Sequence, residues 1–139
     1  MKTLSTLAAA TLLLASLSTS ADDRDAVAQA QVAAKSWLAL TDSAKYDQSW
    51  DDAASLFKGA VTKADWEKAI KGVRAPLGAV RSRKVKSATF TRTLPGAPDG
   101  EYVVIQFEAQ FENKAAAIET VTPMLDKDRT WRVSGYFIK

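Results

Sequence analysis

The stretch Glu101-Tyr102-Val103-Val104-Ile105-Gln106-Phe107-Glu108-Ala109-Gln110-Phe111 decides the fold. From Val103 on, every second residue is apolar: Val103, Ile105, Phe107, Ala109 and Phe111. A period of two marks a strand with one face on a core. Lys114–Leu125 and Trp131–Ile138 read as further strands, and on the last of them Trp131, Val133 and Phe137 are expected to share the buried face. Upstream, residues 83–94 are rich in threonine and valine and read as the first strand. Pro95-Gly96-Ala97-Pro98-Asp99-Gly100 is a dense turn signal that joins it to the second. Glu112-Asn113 and Asp126-Lys127-Asp128-Arg129 supply the remaining turns.

The chain before the strands must cover their apolar face. Residues 22–42 carry Ala26, Ala30, Ala33, Trp37 and Leu40 at helical spacing. Residues 46–57 place Tyr46, Trp50, Ala53, Ala54 and Phe57 on one face of a second helix. The third opens at Thr62-Lys63-Ala64-Asp65, a capping pattern, and buries Trp66, Ala69, Ile70 and Val73. Pro76 is expected to end it, because proline disfavours the helical conformation at Ala75 and removes a donor. Helices followed by a run of strands predict an α+β domain: three N-terminal helices on one face of a four-stranded antiparallel sheet. The short connections fit a meander.

Residues 1–21 read as a secretory signal: Lys2, an almost wholly small or apolar run from Leu4 to Leu17, then Ser18-Thr19-Ser20-Ala21 for a signal peptidase. The run is shorter than the roughly 20 residues a spanning helix requires. No membrane span is expected once the signal is removed. Residues 22–139 then form a single domain in a periplasm or outside the cell. The chain has no cysteine and no histidine. Stability in that oxidising compartment must come from packing. Zinc sites of the usual kind, thiol nucleophiles, serine–histidine triads and imidazole acid–base work are all excluded. No metal and no cofactor is expected. Asp126-x-Asp128 is a turn rather than a calcium loop, since the later glycine and glutamate are missing.

Four segments together carry a family likeness: Tyr46-Asp47-Gln48-Ser49-Trp50, Arg74-Ala75-Pro76-Leu77-Gly78-Ala79-Val80-Arg81-Ser82-Arg83, Leu94-Pro95-Gly96-Ala97-Pro98-Asp99-Gly100-Glu101-Tyr102 and Trp131-Arg132-Val133-Ser134-Gly135-Tyr136. The chain resembles the bacterial domain-of-unknown-function 4019 family (DUF4019) over essentially all of residues 22–139. The resemblance implies a small exported α+β domain and brings no established activity. The closing Trp-x-Val-x-Gly-Tyr strand is also similar to the cone-shaped nuclear-transport-factor-2-like (NTF2-like) fold.

Two features invite a functional reading. Residues 63–92 hold nine basic residues against Asp65 and Glu67. That is either an anion-facing surface or, the favoured reading, an ordinary solvated face. Few aromatics interleave there, which argues against nucleic acid. Glu119 is more pointed, because it shares a strand side with Ala117 and Val121 and so faces inward. A carboxylate there needs cations or donors. Arg74 and Arg83 are the candidates, with Tyr102 and Tyr136 as further members of a ligand pocket. The alternative is an ion pair that braces helix to sheet. Three functions follow. The first is a non-catalytic exported domain that binds a small anionic or polar ligand or an envelope protein. The second is an enzyme that uses a pocket carboxylate for proton transfer. The third is a structural module forming a homodimer through the outer face of its sheet. The absence of histidine disfavours the second, and an arginine beside Glu119 would keep it ionised and poorly basic.

Overall fold

The computed structural model describes residues 20–139, so the signal-peptide reading falls almost wholly outside the described residues. Eight elements follow in order: α1 (Ala21–Asp42), α2 (Tyr46–Asp51), α3 (Ser55–Ala60), α4 (Lys63–Leu77), β1 (Val80–Thr91), β2 (Tyr102–Phe111), β3 (Lys114–Leu125) and β4 (Trp131–Ile138). The strands form one antiparallel sheet in the order β1-β2-β3-β4. The domain is α+β, as the sequence pattern predicts.

The alternating residues of β2 form the middle of the core: Val103, Ile105, Phe107, Ala109 and Phe111 are all buried. Helix α1 crosses the same face of the sheet. Ala30 and Ala34 are buried there, and their small side chains let the helix approach closely. Trp37 and Leu38 fill the space beyond them. Two of the tryptophan N–H groups are satisfied through one small residue. Trp37 Nε1 donates to the Ser49 carbonyl at 2.7 Å, and Trp66 Nε1 donates to Ser49 Oγ at 2.9 Å. Ser49 Oγ donates in turn to the Tyr46 carbonyl at 2.6 Å. Buried indoles need such partners.

Three expectations are corrected. The second helix is two short helices, α2 and α3, split at Ala53-Ala54. The Ala54 N–H leaves the helical ladder and donates to the Val133 carbonyl at 2.8 Å. Asp126 takes over the start of α3, accepting from Ser55 N at 2.9 Å and Ser55 Oγ at 3.0 Å. Helix α4 runs through Pro76 to Leu77. It stops at Gly78, whose φ of 73° suits glycine, and a Cβ there would meet the Glu112 Cβ at 2.9 Å.

The third correction concerns β4. A β-bulge at Ser134 interrupts its register, with Thr122 opposite Gly135 and Pro123 opposite Val133. One extra residue reverses the alternation that follows it. Tyr136 therefore turns inward beside Val121, and Phe137 turns outward, 53% exposed. Trp131 is half-buried at the margin of the core. Phe107→Ala should cost about 3–5 kcal/mol, as aromatic truncations in cores do. Phe137→Ala should stay within about 0.5 kcal/mol of wild type, as expected for a surface position. Denaturant unfolding at low protein concentration compares the two.

Candidate functional site

Four of the five candidate site residues come together where the end of α1 meets the sheet. Glu119 lies on β3 directly opposite Phe107 and is 0% exposed. Arg83 enters from β1, where it is opposite Ala109. Its Nε donates to Glu119 Oε1 at 2.6 Å, and its Nη2 donates to Glu119 Oε2 at 3.2 Å. Tyr136, brought inward by the bulge, donates its hydroxyl to Glu119 Oε2 at 2.5 Å. Both carboxylate oxygens are thus engaged.

Arg74 does not pair with Glu119. It is 4% exposed, and it donates from Nη2 to Asp42 Oδ1 at 2.7 Å and from Nη1 to Thr41 Oγ1 at 2.9 Å. Its guanidinium stands over the Phe111 ring, 5.1 Å from the centroid. Asp42 also accepts from Arg83, at 2.7 Å on Oδ2 and 2.9 Å on Oδ1. The result is a continuous chain: Arg74, Asp42, Arg83, Glu119, Tyr136. It holds two guanidinium groups against two carboxylates, so the charges cancel.

Asp42 is the member the sequence reading missed, and a signal for it existed. An acid in the last turn of a helix opposes the macrodipole. α1 carries no base in that turn to offset it. A local violation of that kind points to a partner elsewhere in the fold. Tyr102, by contrast, does not belong to the site. It is one residue out of phase with the inward set of β2, and its hydroxyl donates to the Pro98 carbonyl at 2.6 Å. Its role is to pin the loop between β1 and β2.

The electrostatics follow from burial and pairing. Burial alone would raise the Asp42 carboxyl, but the hydrogen bonds and charges of Arg83 and Arg74 outweigh it and hold the group below its ordinary range. Burial would weaken the Arg83 cation, yet Asp42 and Glu119 more than restore it. The Tyr136 phenol is pushed upward by burial and then by the charge of Glu119, so it remains a donor. Five of the nine residues in the basic run are paired. Besides Arg74 and Arg83, Lys63 meets Asp51, Lys84 meets Glu108 and Arg92 meets Asp23. Among the described residues no cluster of carboxylates is arranged to hold a metal ion.

A second feature is open to solvent. A cleft of about 650 Å³ lies between α1, the α2–α3 segment and the β3–β4 turn. Ala33, Trp37, Trp131 and Val133 give it an apolar floor, and Asp52, Lys58, Lys127 and Arg132 line it with charge.

The family model described as "Protein of unknown function (DUF4019)" matches residues 33–136. The chain belongs to that family. The DUF4019 match spans every member of the charged chain, from Asp42 to Tyr136. No curated protein and no solved structure matches the chain. The NTF2-like likeness therefore rests on the closing strand alone.

Two outcomes test this network in the DUF4019 domain. Glu119→Gln should destabilise the fold by roughly 3–5 kcal/mol, the range for breaking a buried pair and leaving a charge uncompensated. Combined with Arg83→Met the loss should be less than additive, because the two residues share one interaction. Asp42 also sets a pH dependence. A carboxyl with a depressed folded pKa contributes stability above its unfolded value, about 3.9. That contribution is lost as pH falls through the lower folded value. Melting temperature should therefore decline below about pH 4, and Asp42→Asn should flatten that part of the profile.

Proposed function

We propose that the protein is an exported, non-catalytic binding domain. In this reading the Glu119 network is a brace, and the cleft beside Trp131 seats a small polar ligand. The observation that carries the non-catalytic part is the state of Glu119. It is fully buried, and each of its oxygens already accepts a hydrogen bond from Arg83 or Tyr136. A general base must be within hydrogen-bond reach of its substrate. A carboxylate saturated by a guanidinium and a phenol is not available for that work.

The cleft has the opposite character. Its floor is aromatic and aliphatic, and a few polar groups converge on it, which is the usual make-up of a small-molecule site. Several of its charges are already used. Asp128 is held by Arg132 through a double hydrogen bond at 2.7 and 2.8 Å, and that cation is the main cause lowering the Asp128 carboxyl to about 2. Asp51 is occupied by Lys63. Asp52 and Lys127 line the cleft without an ion-pair partner among the described residues. A ligand bearing both signs of charge around an apolar body matches that lining. Export rests on the pattern of residues 1–21.

Trp131 is a natural reporter. Titration of the labelled domain with a panel of amino acids and dipeptides, followed by amide shifts, should move Ala33, Lys127 and Trp131 together. Lys127→Glu should weaken the response about tenfold, the equivalent of one rim charge reversed in a small site. Shifts confined to Glu119 and Tyr136, with none around Trp131, would overturn the assignment.

A further inference from the structure

The sheet has two edges, and they are built differently. β1 carries Arg81, Lys84 and Lys86 and two breaks in register, at Val80/Ser82 and Val85/Ser87. Charges and bulges are how proteins keep an edge from pairing with another chain. β4 has one bulge, at Ser134, and beyond it, from Gly135 to Ile138, neither a charged residue nor a break in register.

The orientation of its backbone follows from one pair. Lys139 and Ile118 exchange both backbone hydrogen bonds, at 2.9 and 3.0 Å. In an antiparallel ladder the bonding direction alternates. The N–H and C=O of Tyr136 and Ile138 then point away from β3. Among the described residues none of the loop, cap or inter-element backbone bonds reaches them; the bond that meets this edge is Ala54 N–H to the Val133 carbonyl. Beside the open stretch runs an apolar groove of about 260 Å³, between β4 and the Trp66, Ala69, Ile70 and Val73 side of α4. Val73 is 48% exposed, and on the outer face Phe137 is the large apolar residue left in solvent.

We propose that this edge pairs antiparallel with the same edge of a second copy, with the two-fold axis at Phe137. The proposal is independent of the ligand reading. In this register Tyr136 lies opposite Ile138 of the second copy, and the converse pair is identical. Both residues then use their outward N–H and C=O groups. Phe137 falls opposite Phe137 of the second copy as a non-hydrogen-bonded pair, the closer of the two antiparallel pair types. Lys139 falls opposite Gly135, so no like charges meet. The Ala54 contact at Val133 lies outside the paired stretch and does not obstruct it. A strand that is complementary to itself in side chains, charge and free backbone fits an isologous contact. This argument favours a second copy over an unrelated peptide. A contact this small belongs to the weak class, below about 1,200 Å².

Because the protein lacks cysteine, one substitution gives a clean reporter. Opposed Cα atoms in this pair type are about 4.5 Å apart, which falls within the range for a disulfide. Phe137→Cys should form a covalent dimer on mild oxidation, and Lys84→Cys on the other edge should not. Sedimentation of the wild-type protein should show a concentration-dependent dimer. Phe137→Lys opposes two cations at the axis and should raise the dissociation constant at least about tenfold. Ile138→Pro removes one outward donor, a change an unpaired edge tolerates. It should weaken the dimer and leave the circular dichroism of the monomer unchanged. A wild type that stays monomeric at roughly millimolar concentration, a dimer that survives Phe137→Lys, or equal cross-linking at positions 137 and 84 would each overturn the proposal. Pairing with an added extended peptide in place of a second copy would overturn it as well.

Discussion

One guanidinium fixes where the end of α1 sits on the sheet. Arg83 rises from β1 and holds Glu119 of β3 with one side of its fork and Asp42 of α1 with the other. Helix and sheet could pack through Ala30, Ala34 and Trp37 at more than one offset, since hydrophobic contact is non-directional. A planar fork with fixed donor directions does not slide. Arg74 repeats the constraint from α4, so the ends of two helices converge on the same carboxylate. Replacing buried ionic clusters by apolar groups is often neutral or stabilising. Position, more than stability, is what such a cluster supplies. One atom in it lacks a partner, Arg74 Nε. The stacking of that guanidinium over Phe111 partly offsets the omission.

The network exists in this form because of a single inserted residue. Without the bulge at Ser134, strict alternation from Val133 would turn Phe137 toward the core and Tyr136 to solvent. Glu119 would then face a phenyl ring in place of a hydroxyl. The second oxygen of the carboxylate would keep only its longer bond from Arg83. The bulge therefore does two things at once: it completes the hydrogen bonding of a buried charge, and it leaves Phe137 outside.

Much of this was legible in the residues. The period of two along β2 is a direct record of which side chains meet the core, and Glu119 declared itself by sitting in phase with Ala117 and Val121. The composition of residues 46–57 did not show the break between α2 and α3. Ala53 and Ala54 favour helix locally, and the break comes from a tertiary bond, Ala54 to Val133. Bulges are invisible for a related reason. Trp131, Val133 and Phe137 alternate well enough in the sequence, and only the pairing with Pro123, which has no N–H, reveals where the register slips. Tyr102 suits a polar pocket by residue type, but its parity along β2, opposite to that of Val103 and Ile105, argues against that place. Asp42 was legible but unread, as an acid at the wrong end of a helix.

The same bulge divides β4 into two ends with different surroundings. On the Trp131 side the strand forms the floor of the charged cleft, and its edge is closed by Ala54. On the Phe137 side the strand borders an apolar groove, and its outward backbone groups meet no neighbouring element. Between them Tyr136 reaches into the interior and joins the charged chain that fixes α1. Both carboxylates of this buried network are already engaged, Asp42 by Arg74 and Arg83 and Glu119 by Arg83 and Tyr136. Under the two proposals made above, the surfaces offered to a ligand and to a second copy lie at the two ends of this one strand. The architecture thus separates what holds the domain together from what it presents, and Ser134 marks the boundary.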